Sequence, residues 1–119
     1  MKCVMSRRSV VLLLLDMIDC VEKLESITLS LTYDDFCKDV KTFYAAIALV
    51  SILGEAANQI TKVVENLPDT IPWDKLRAIR NRVVHAYFDI DRQILWIIAS
   101  VELPQLKEPL QELLEIYNG

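Results

Sequence analysis

Apolar residues recur at helical spacing through the first quarter of the chain. One stripe comprises Val11, Leu14, Ile18 and Val21, and a second comprises Leu13, Met17, Cys20, Leu24 and Ile27. Because positions three and four residues apart share one face of an α-helix, a helix is predicted from about Ser6 to Leu29. Two stripes make a wider face than one core contact needs, so we expect this helix to pack both within its own bundle and against a neighbour.

A break with capping chemistry separates this helix from the next one. In the segment LTYDDFCKD, Thr32 and Asp35 have the spacing of a capping box, with Asp in the place of the usual Glu. A second long helix is predicted from about Lys38 to Asn66, with room for a short turn of helix before it. Small residues give that helix a surface that another helix can approach closely, and they are Ala45, Ala46, Ala48, Gly54, Ala56 and Ala57.

Prolines and aspartates mark the boundaries of the following helices. The segment NLPDTIPW ends the second long helix, since neither Pro68 nor Pro72 can continue a helix interior. Pro72 suits the first position of a third helix. The segment FDID interrupts that helix, and Asp89 or Asp91 can cap a fourth one from about Arg92.

The chain closes on a leucine-rich segment. Pro104 is expected to kink or split the fourth helix, after which LPQLKEPLQELLEIY forms the last one. Its inner side is predicted to carry Leu106, Leu110, Leu113 and Leu114. Strand-like alternation, internal repeats and interdomain linkers are missing from the pattern. The sequence therefore predicts an all-α fold, an antiparallel bundle of four or five helices, as a single domain over residues 1–119.

Composition agrees with a globular domain and adds one expectation about its surface. Hydrophobic residues make up 53% of the chain and charged residues 25%, as in folded soluble proteins. The mean hydropathy of +0.28 is high for a domain of this size, and we attribute the excess to surface that a partner chain covers. The runs VVLLLL and FYAAIALVSILG fall short of the ~18 residues that a membrane span needs. No membrane contact is expected, and a cytoplasmic location is the default.

Cysteine number and charge exclude some classes of site. Cys3, Cys20 and Cys37 are odd in number and form no CxxC pair, so reduced thiols are expected rather than disulfides or metal ligands. The net charge of −4 argues against a general nucleic-acid binder. Residues 74–88 have the opposite balance, since a single carboxylate, that of Asp74, stands against the basic side chains of Lys75, Arg77, Arg80 and Arg82.

The chain's only histidine, His85, lies inside this basic segment. Residues five apart on an ideal helix are rotated by roughly 140°, so Arg80 and His85 would not share a face. Asn81 and Arg82 are each within one turn of His85 and do neighbour it. Arg80 can join His85 in two ways: the helix ends or distorts near His85, or a second copy of the motif approaches across a two-fold axis, as in a symmetric dimer.

These side chains suit the cleavage of RNA phosphodiester bonds. The imidazole of His85 can move a proton to or from a ribose hydroxyl or a leaving oxygen, and the guanidinium of Arg80 can bind phosphate oxygens through two N–H groups. Asn81 can orient the imidazole or the phosphate, while Arg82 can attract the polyanion. RNA supplies its own nucleophile, the 2′-OH, so neither a metal nor another cofactor is required. The sequence shows no cluster with metal-ligand spacing and no Gly-rich phosphate loop.

The segment RNRVVHAY, residues 80–87, matches the R-x4-H-x-Y signature of HepT-like toxins in the HEPN superfamily. The chain also resembles this family upstream, in ILGEAANQI, and downstream, in FDIDRQILWIIASVELPQLKEPL. The resemblance implies an HEPN-like bundle that forms a homodimer with its motifs at the interface. It further implies a metal-independent ribonuclease toxin of a type II toxin–antitoxin pair, with Arg80 and His85 as catalytic residues and Asn81 as their polar neighbour. The implied partner is an MNT-type nucleotidyltransferase antitoxin that neutralises the toxin by transferring AMP to Tyr87.

Other functions stay open on the sequence alone. The bundle would then be a non-catalytic, nucleotide-binding or regulatory partner of a nucleotidyltransferase, with Tyr87 as the acceptor and His85 only positioning it, or a helical dimerisation protein without chemistry. Plainer roles also exist for single residues: Arg80 as an ion-pair partner of Glu55 or Asp89, and His85 as a solvated side chain or a helix cap. Glu55 either holds a basic group of the motif or of a partner, or lies on plain surface.

Overall fold

A computed structural model describes residues 7–86 and 90–118. All regular structure in these ranges is helical, as predicted. The α-helices are α1 (Arg7–Leu29), α2 (Tyr33–Lys38), α3 (Val40–Val63), α4 (Trp73–Ala86), α5 (Arg92–Ile97) and α6 (Lys107–Asn118). A π-helical turn, Ile98–Glu102, and a 3₁₀ turn, Leu103–Leu106, join α5 to α6 without a break.

Helix α1 runs through the bundle and contacts both α3 and α6. Both apolar stripes predicted for it are used inside the chain, and their buried members are Leu14, Met17, Ile18, Cys20, Val21 and Leu24. The wide apolar face is thus explained by packing within one chain. The large apolar side chains that α1 does expose are Leu12, Leu15 and Leu29, which belong to neither predicted stripe.

The capping signals around α2 fold as the sequence predicts. The backbone N–H of Asp35 donates to the hydroxyl of Thr32, and the backbone N–H of Thr32 donates to the carboxylate of Asp35, at 3.1 Å each. Asp39 then separates α2 from α3 and caps the latter, because its carboxylate accepts from the backbone N–H groups of Lys41 and Thr42. The short helix before the second long helix is confirmed.

Helix α3 ends at Val63, three residues before its predicted limit at Asn66. Its C-cap residue Val64 is extended, and Asn66 adopts a left-handed φ of 62°, a region that asparagine tolerates better than most residues. The chain therefore turns before Pro68, and the prolines are not what stops the helix.

Helix α3 is long and apolar enough to cross a membrane, the one helix within the described ranges of which this holds. The expectation that no segment reaches that length is wrong for α3, because the helix continues past Glu55 with mostly uncharged residues. Core helices of soluble proteins meet the same criterion. Since α3 packs against α1, α2 and α4, and 39% of its apolar window is buried in the bundle, we interpret it as the central helix of the fold.

A close helix contact joins α3 to α4. Gly54 is buried on α3, and a Cβ placed on it would lie 2.2 Å from the Cβ of Arg80 and 2.8 Å from the carbonyl oxygen of Leu76. Only a residue without a side chain fits between the two helices at this point. The predicted small-residue surface on α3 is confirmed here, and its partner is the helix that carries the motif.

The boundaries near the C-terminus follow the polar and proline signals. Asp91 caps α5 by accepting from the N–H groups of Gln93 and Ile94, whereas the alternative cap, Asp89, lies outside the described residues. Pro104 has no N–H to donate, and the α-helical pattern gives way to π and 3₁₀ turns around it, which confirms the predicted split. The inner leucines are Leu106, Leu110 and Leu113, which are buried, and Leu114, which is partly buried.

The cysteines within the described residues are free thiols. Cys20 and Cys37 form no disulfide, as predicted, while Cys3 lies outside the described ranges. Burial raises the pKa of the Cys20 thiol to about 11. This thiol is therefore protonated at neutral pH and acts as a small apolar side chain in the core.

Candidate functional site

Helix α4 carries the predicted site, and its inner face fixes how the helix lies. Trp73 begins the helix, and its indole N–H donates to the carbonyl oxygen of Pro68 at 3.2 Å. Along the same side, Leu76 and Val83 are buried in the core. This burial directs the rest of the motif outward, so that Asn81, Arg82 and His85 are exposed.

Arg80 leaves α4 toward α3 and is held at two of its nitrogens. Its Nη2 lies 3.4 Å from Oε1 of Glu55 on α3, and its Nη1 donates to Oδ1 of Asn81 at 2.8 Å. The side chain is 31% exposed, so part of the guanidinium stays open to solvent. Arg80 thus bridges a carboxylate on the neighbouring helix and an amide on its own helix.

The contact between Glu55 and Arg80 is an ion pair without hydrogen-bond geometry. The Oε1 atom of Glu55 is buried and accepts no hydrogen bond from the described residues, although the carboxylate as a whole is 38% exposed. At 3.4 Å from Nη2 the opposite charges attract, but the N–H is not directed at the oxygen. The contact is therefore an ion pair and not a hydrogen bond. This carboxylate oxygen therefore depends on Arg80 for the compensation of its charge.

His85 is exposed in the last turn of α4, which ends one residue later at Ala86. It lies four residues after Asn81, so the two side chains share the outer face of the helix, while Arg80 leaves α4 about 140° away around the axis. Because α4 stays α-helical through His85, no distortion within the motif brings the two side chains together. Asn81 lies between the two: its amide oxygen accepts from Arg80, and it is one helical turn from His85.

Arg82 occupies the other flank of α4. It lines an apolar cavity of about 180 Å³ between α4, α5 and the π turn, together with Lys75, Ile79, Val83 and Leu95. The other basic residues of α4 have acidic partners, since Lys75 pairs with Glu102 and Arg77 with Asp74. The sequence grouped Arg82 with Asn81 as a supporting contact, but the structure places it beside a different cavity from that of Arg80.

The cavity beside Arg80 opens between α1, α3 and α4 and measures about 390 Å³. Helix α1 contributes Asp16 to its wall, and α3 contributes Glu55 and Ile52, the latter 50% exposed. Its remaining lining residues are Leu13, Ser51, Ala56 and Gln59. No sequence pattern marks Asp16 as part of the site, since it lies more than 60 residues from the motif. The signal for Glu55, a single carboxylate among small and apolar residues, was visible.

Some predicted site features lie beyond what the structure describes. Tyr87, the predicted modification site, lies outside the described residues. Within residues 7–86 and 90–118, no three His, Cys, Asp or Glu side chains are grouped closely enough to hold a metal ion. The described part of the candidate site comprises the guanidinium of Arg80, the amide of Asn81, the imidazole of His85 and the carboxylate of Glu55 from α3.

Comparison with known proteins matches most of the chain to one family. The family model described as "Ribonuclease HepT-like" matches residues 17–113. The "Probable ribonuclease HepT" of Thermococcus cleftensis is 33% identical over 98 residues, 82% of this chain and 89% of that protein. The "Putative RNase MJ1216" of Methanocaldococcus jannaschii is 24% identical over 115 residues, 97% of this chain and 95% of that protein. The "Putative RNase TTE0752" of Caldanaerobacter subterraneus is 27% identical over 85 residues, 71% of this chain and 76% of that protein. No solved structure matches the chain.

Proposed function

Because this chain belongs to the HepT-like ribonuclease family, we propose that it is the toxin of a type II toxin–antitoxin pair and cleaves RNA without a metal ion. The observation that carries this proposal is the placement of Arg80, whose guanidinium is held between Glu55 and Asn81 and remains partly open to solvent. The exposed imidazole of His85 lies one turn from Asn81. A fixed positive charge and a group that can take and give a proton are what cleavage of an RNA phosphodiester uses.

In the proposed reaction, the 2′-oxygen of the RNA attacks the adjacent phosphorus and the bond from phosphorus to the 5′-oxygen breaks. An imidazole takes the proton of the 2′-OH, and an imidazolium gives a proton to the departing 5′-oxygen. Negative charge develops on the phosphoryl oxygens in the transition state, where the guanidinium of Arg80 stabilises it. RNA supplies the nucleophile, and the 5′ product carries a 2′,3′-cyclic phosphate.

A homodimer would give this reaction both of its proton-transfer groups. Each chain has only one histidine, and α4 is not distorted in a way that turns Arg80 toward His85. Two motifs facing each other across a two-fold axis would supply two imidazoles and two guanidiniums to one cleft. Exposed apolar residues on the two helices that wall the cavity of Arg80 together with α4 support such an interface: Leu12 and Leu15 on α1, and Tyr44 and Ile52 on α3, of which Ile52 lines the cavity itself.

The test is RNA cleavage by the purified chain in the presence of EDTA. We expect the wild-type protein to cut a single-stranded RNA, and His85→Ala and Arg80→Ala each to lower the rate by at least about 100-fold. Arg77→Ala is the matched control, because Arg77 also lies on α4 but pairs with Asp74 within that helix. Full activity of either site variant, or equal losses in all three variants, would remove this mechanism.

We further propose that a nucleotidyltransferase antitoxin of the MNT type neutralises the toxin by adding AMP to Tyr87. The R-x4-H-x-Y signature, which ends at Tyr87, supports this. Incubation with the transferase and ATP should raise the intact mass of the chain by one or more AMP units, and Tyr87→Phe should prevent the increase. Tyr44→Phe, which changes a tyrosine exposed on α3, should leave it unchanged. An unshifted wild-type mass would contradict the transfer of AMP and would favour a transferase that only binds the chain.

A further inference from the structure

We infer that Glu55 is a positioning residue of this site, whose carboxylate holds the guanidinium of Arg80 in the orientation from which it meets the scissile phosphate. The inference rests on the proposed ribonuclease function and adds a residue from a second helix to its site. It gives a reason for a carboxylate in the middle of the central helix α3, where its sequence neighbours Gly54 and Ala56 are buried.

One carboxylate oxygen of Glu55 is buried and needs a compensating charge. Oε1 is inaccessible to solvent and accepts no hydrogen bond from the described residues. A buried carboxylate oxygen is costly unless an opposite charge compensates it. Among the described residues, the cation that does so is Arg80, at 3.4 Å. The carboxylate and the guanidinium therefore fix each other's position.

Contacts hold the Arg80 side chain at both of its ends. The first part of the side chain passes over Gly54, where there is no room for even a methyl group. At the far end, Nη2 faces Glu55 and Nη1 donates to Asn81. A guanidinium has five N–H donors, and these two contacts leave others free. The side chain is 31% exposed, so part of it stays open to a ligand.

An Arg80 side chain that is already ordered favours the reaction. An arginine side chain is long and flexible, and a cation that must first be ordered stabilises a transition state less than one already in place. Glu55 carries a negative charge and would repel phosphate, so its benefit must come through Arg80. Its removal should therefore lower kcat, because Arg80 is no longer held in place. KM should stay the same or fall, because the site loses a charge that repels the RNA.

The test compares Glu55→Ala and Glu55→Gln with the wild-type chain. We expect kcat to fall by about 100-fold in Glu55→Ala, since misplacement by about 1 Å can cost this much. Glu55→Gln should fall less, because its amide oxygen keeps a partial negative charge beside Arg80 in a side chain of the same size. Glu65→Gln is the matched control: it makes the same chemical change at an exposed glutamate just beyond α3, and kcat should not change.

A measurement independent of activity separates this inference from the proposed function. The side-chain NH signals of Arg80 in ¹⁵N NMR, assigned with Arg80→Lys, should show slow rotation of the guanidinium in the wild-type chain and in Glu65→Gln. They should show fast, averaged rotation in Glu55→Ala. If the wild-type chain cuts no RNA, the proposed function fails, while these spectra still decide whether Glu55 orders Arg80.

The inference is overturned by unchanged Arg80 signals in Glu55→Ala. It is also overturned by a kcat in Glu55→Ala equal to that of the wild-type chain, or by a rise in KM that accounts for the whole loss of activity. A loss of activity that merely parallels a drop in melting temperature across both Glu55 variants would assign Glu55 to folding instead. Ordered Arg80 signals in Glu55→Gln with partly restored kcat would support the positioning role most strongly.

Discussion

The Cβ of Arg80 lies against the backbone of Gly54, so closely that a methyl group on the glycine would be 2.2 Å away. This contact has two consequences. It allows α3 and α4 to approach at the centre of the bundle, and it sets the direction in which the arginine side chain leaves α4. Stability of the fold and placement of the candidate catalytic guanidinium therefore depend on the same absent side chain.

Gly54→Ala should destabilise the protein, although alanine in a helix interior normally stabilises by roughly 0.5–1 kcal/mol relative to glycine. The new methyl would meet the carbonyl oxygen of Leu76 at 2.8 Å, and backbone cannot swing aside. We expect the free energy of unfolding to fall by about 1–3 kcal/mol, as in other overpacked cores. Urea denaturation followed by circular dichroism measures it. Ser51→Ala, which adds no atoms to α3, is the control, and an unchanged or higher stability of Gly54→Ala would contradict the packing described here.

Ile52→Glu should convert the proposed homodimer to a monomer. Ile52 is 50% exposed at the rim of the Arg80 cavity, and a carboxylate there would be desolvated beside Glu55 in an interface. Sedimentation velocity should give a dimer of the 13.7 kDa chain for the wild type and a monomer for the variant. Ile116→Glu changes an apolar residue that is 66% exposed on α6 and should stay dimeric. A monomeric wild-type chain, or dissociation by both variants alike, would count against an interface at this cavity.

Asp39 should make the stability of the fold sensitive to acid. The hydroxyl of Thr42 donates to its carboxylate at 2.6 Å, and this bond, with the backbone N–H groups of α3, lowers the pKa of Asp39 below its ordinary value. A lowered pKa in the folded state means that the stabilisation is present above the unfolded pKa and is lost as pH falls through the folded one. The melting temperature of the wild type should therefore fall toward that of Asp39→Asn as the pH falls from about 5 to about 2.

Thr42→Val supplies the second arm of that experiment. It removes the hydroxyl that contributes most to the shift while Asp39 keeps its bonds to the backbone of α3. The acid-dependent part of the difference from Asp39→Asn should shrink in this background. A gap between wild type and Asp39→Asn that stays constant over the whole pH range would show that the carboxylate charge contributes nothing to the cap.

Local signals predicted most of the helix boundaries because capping is decided within a few residues. Thr32, Asp35 and Asp91 act where the sequence placed them, and Pro104 lies where the α-helix gives way to other turns. The predicted end of α3 was three residues too late because it was assigned from Pro68. The helix ends earlier, before the left-handed backbone of Asn66. The two stripes of α1 were recognised, but spacing alone does not tell whether a stripe faces its own chain or another one.

The residues of the candidate site were named from the sequence and stay a prediction, whereas most of the contacts between them could not be named. The rotation between Arg80 and His85 follows from helix geometry, and α4 keeps it. The bond from Arg80 to Asn81 does not follow from spacing, because neighbouring residues on a helix point apart and only the length of arginine bridges them. The pairing with Glu55 depends on the register of α3 against α4, which is set by Gly54 and by core packing rather than by any local pattern. Arg82 was grouped with the site because it lies one helical turn from His85, but spacing did not show that it lines a different cavity from that of Arg80, and its contact with RNA stays a prediction.

The most direct measurement uses one short RNA made in two forms, identical except for a 2′-O-methyl group at the nucleotide 5′ to the cut. With the unmodified RNA in EDTA, the wild-type chain should release a 5′ fragment ending in a 2′,3′-cyclic phosphate, and His85→Ala should not. With the methylated RNA, cleavage at that bond should cease, because the attacking hydroxyl is gone. Cutting of the methylated bond at an unchanged rate, or cleavage that appears only when a divalent metal is added, would contradict a metal-independent reaction built on Arg80 and His85.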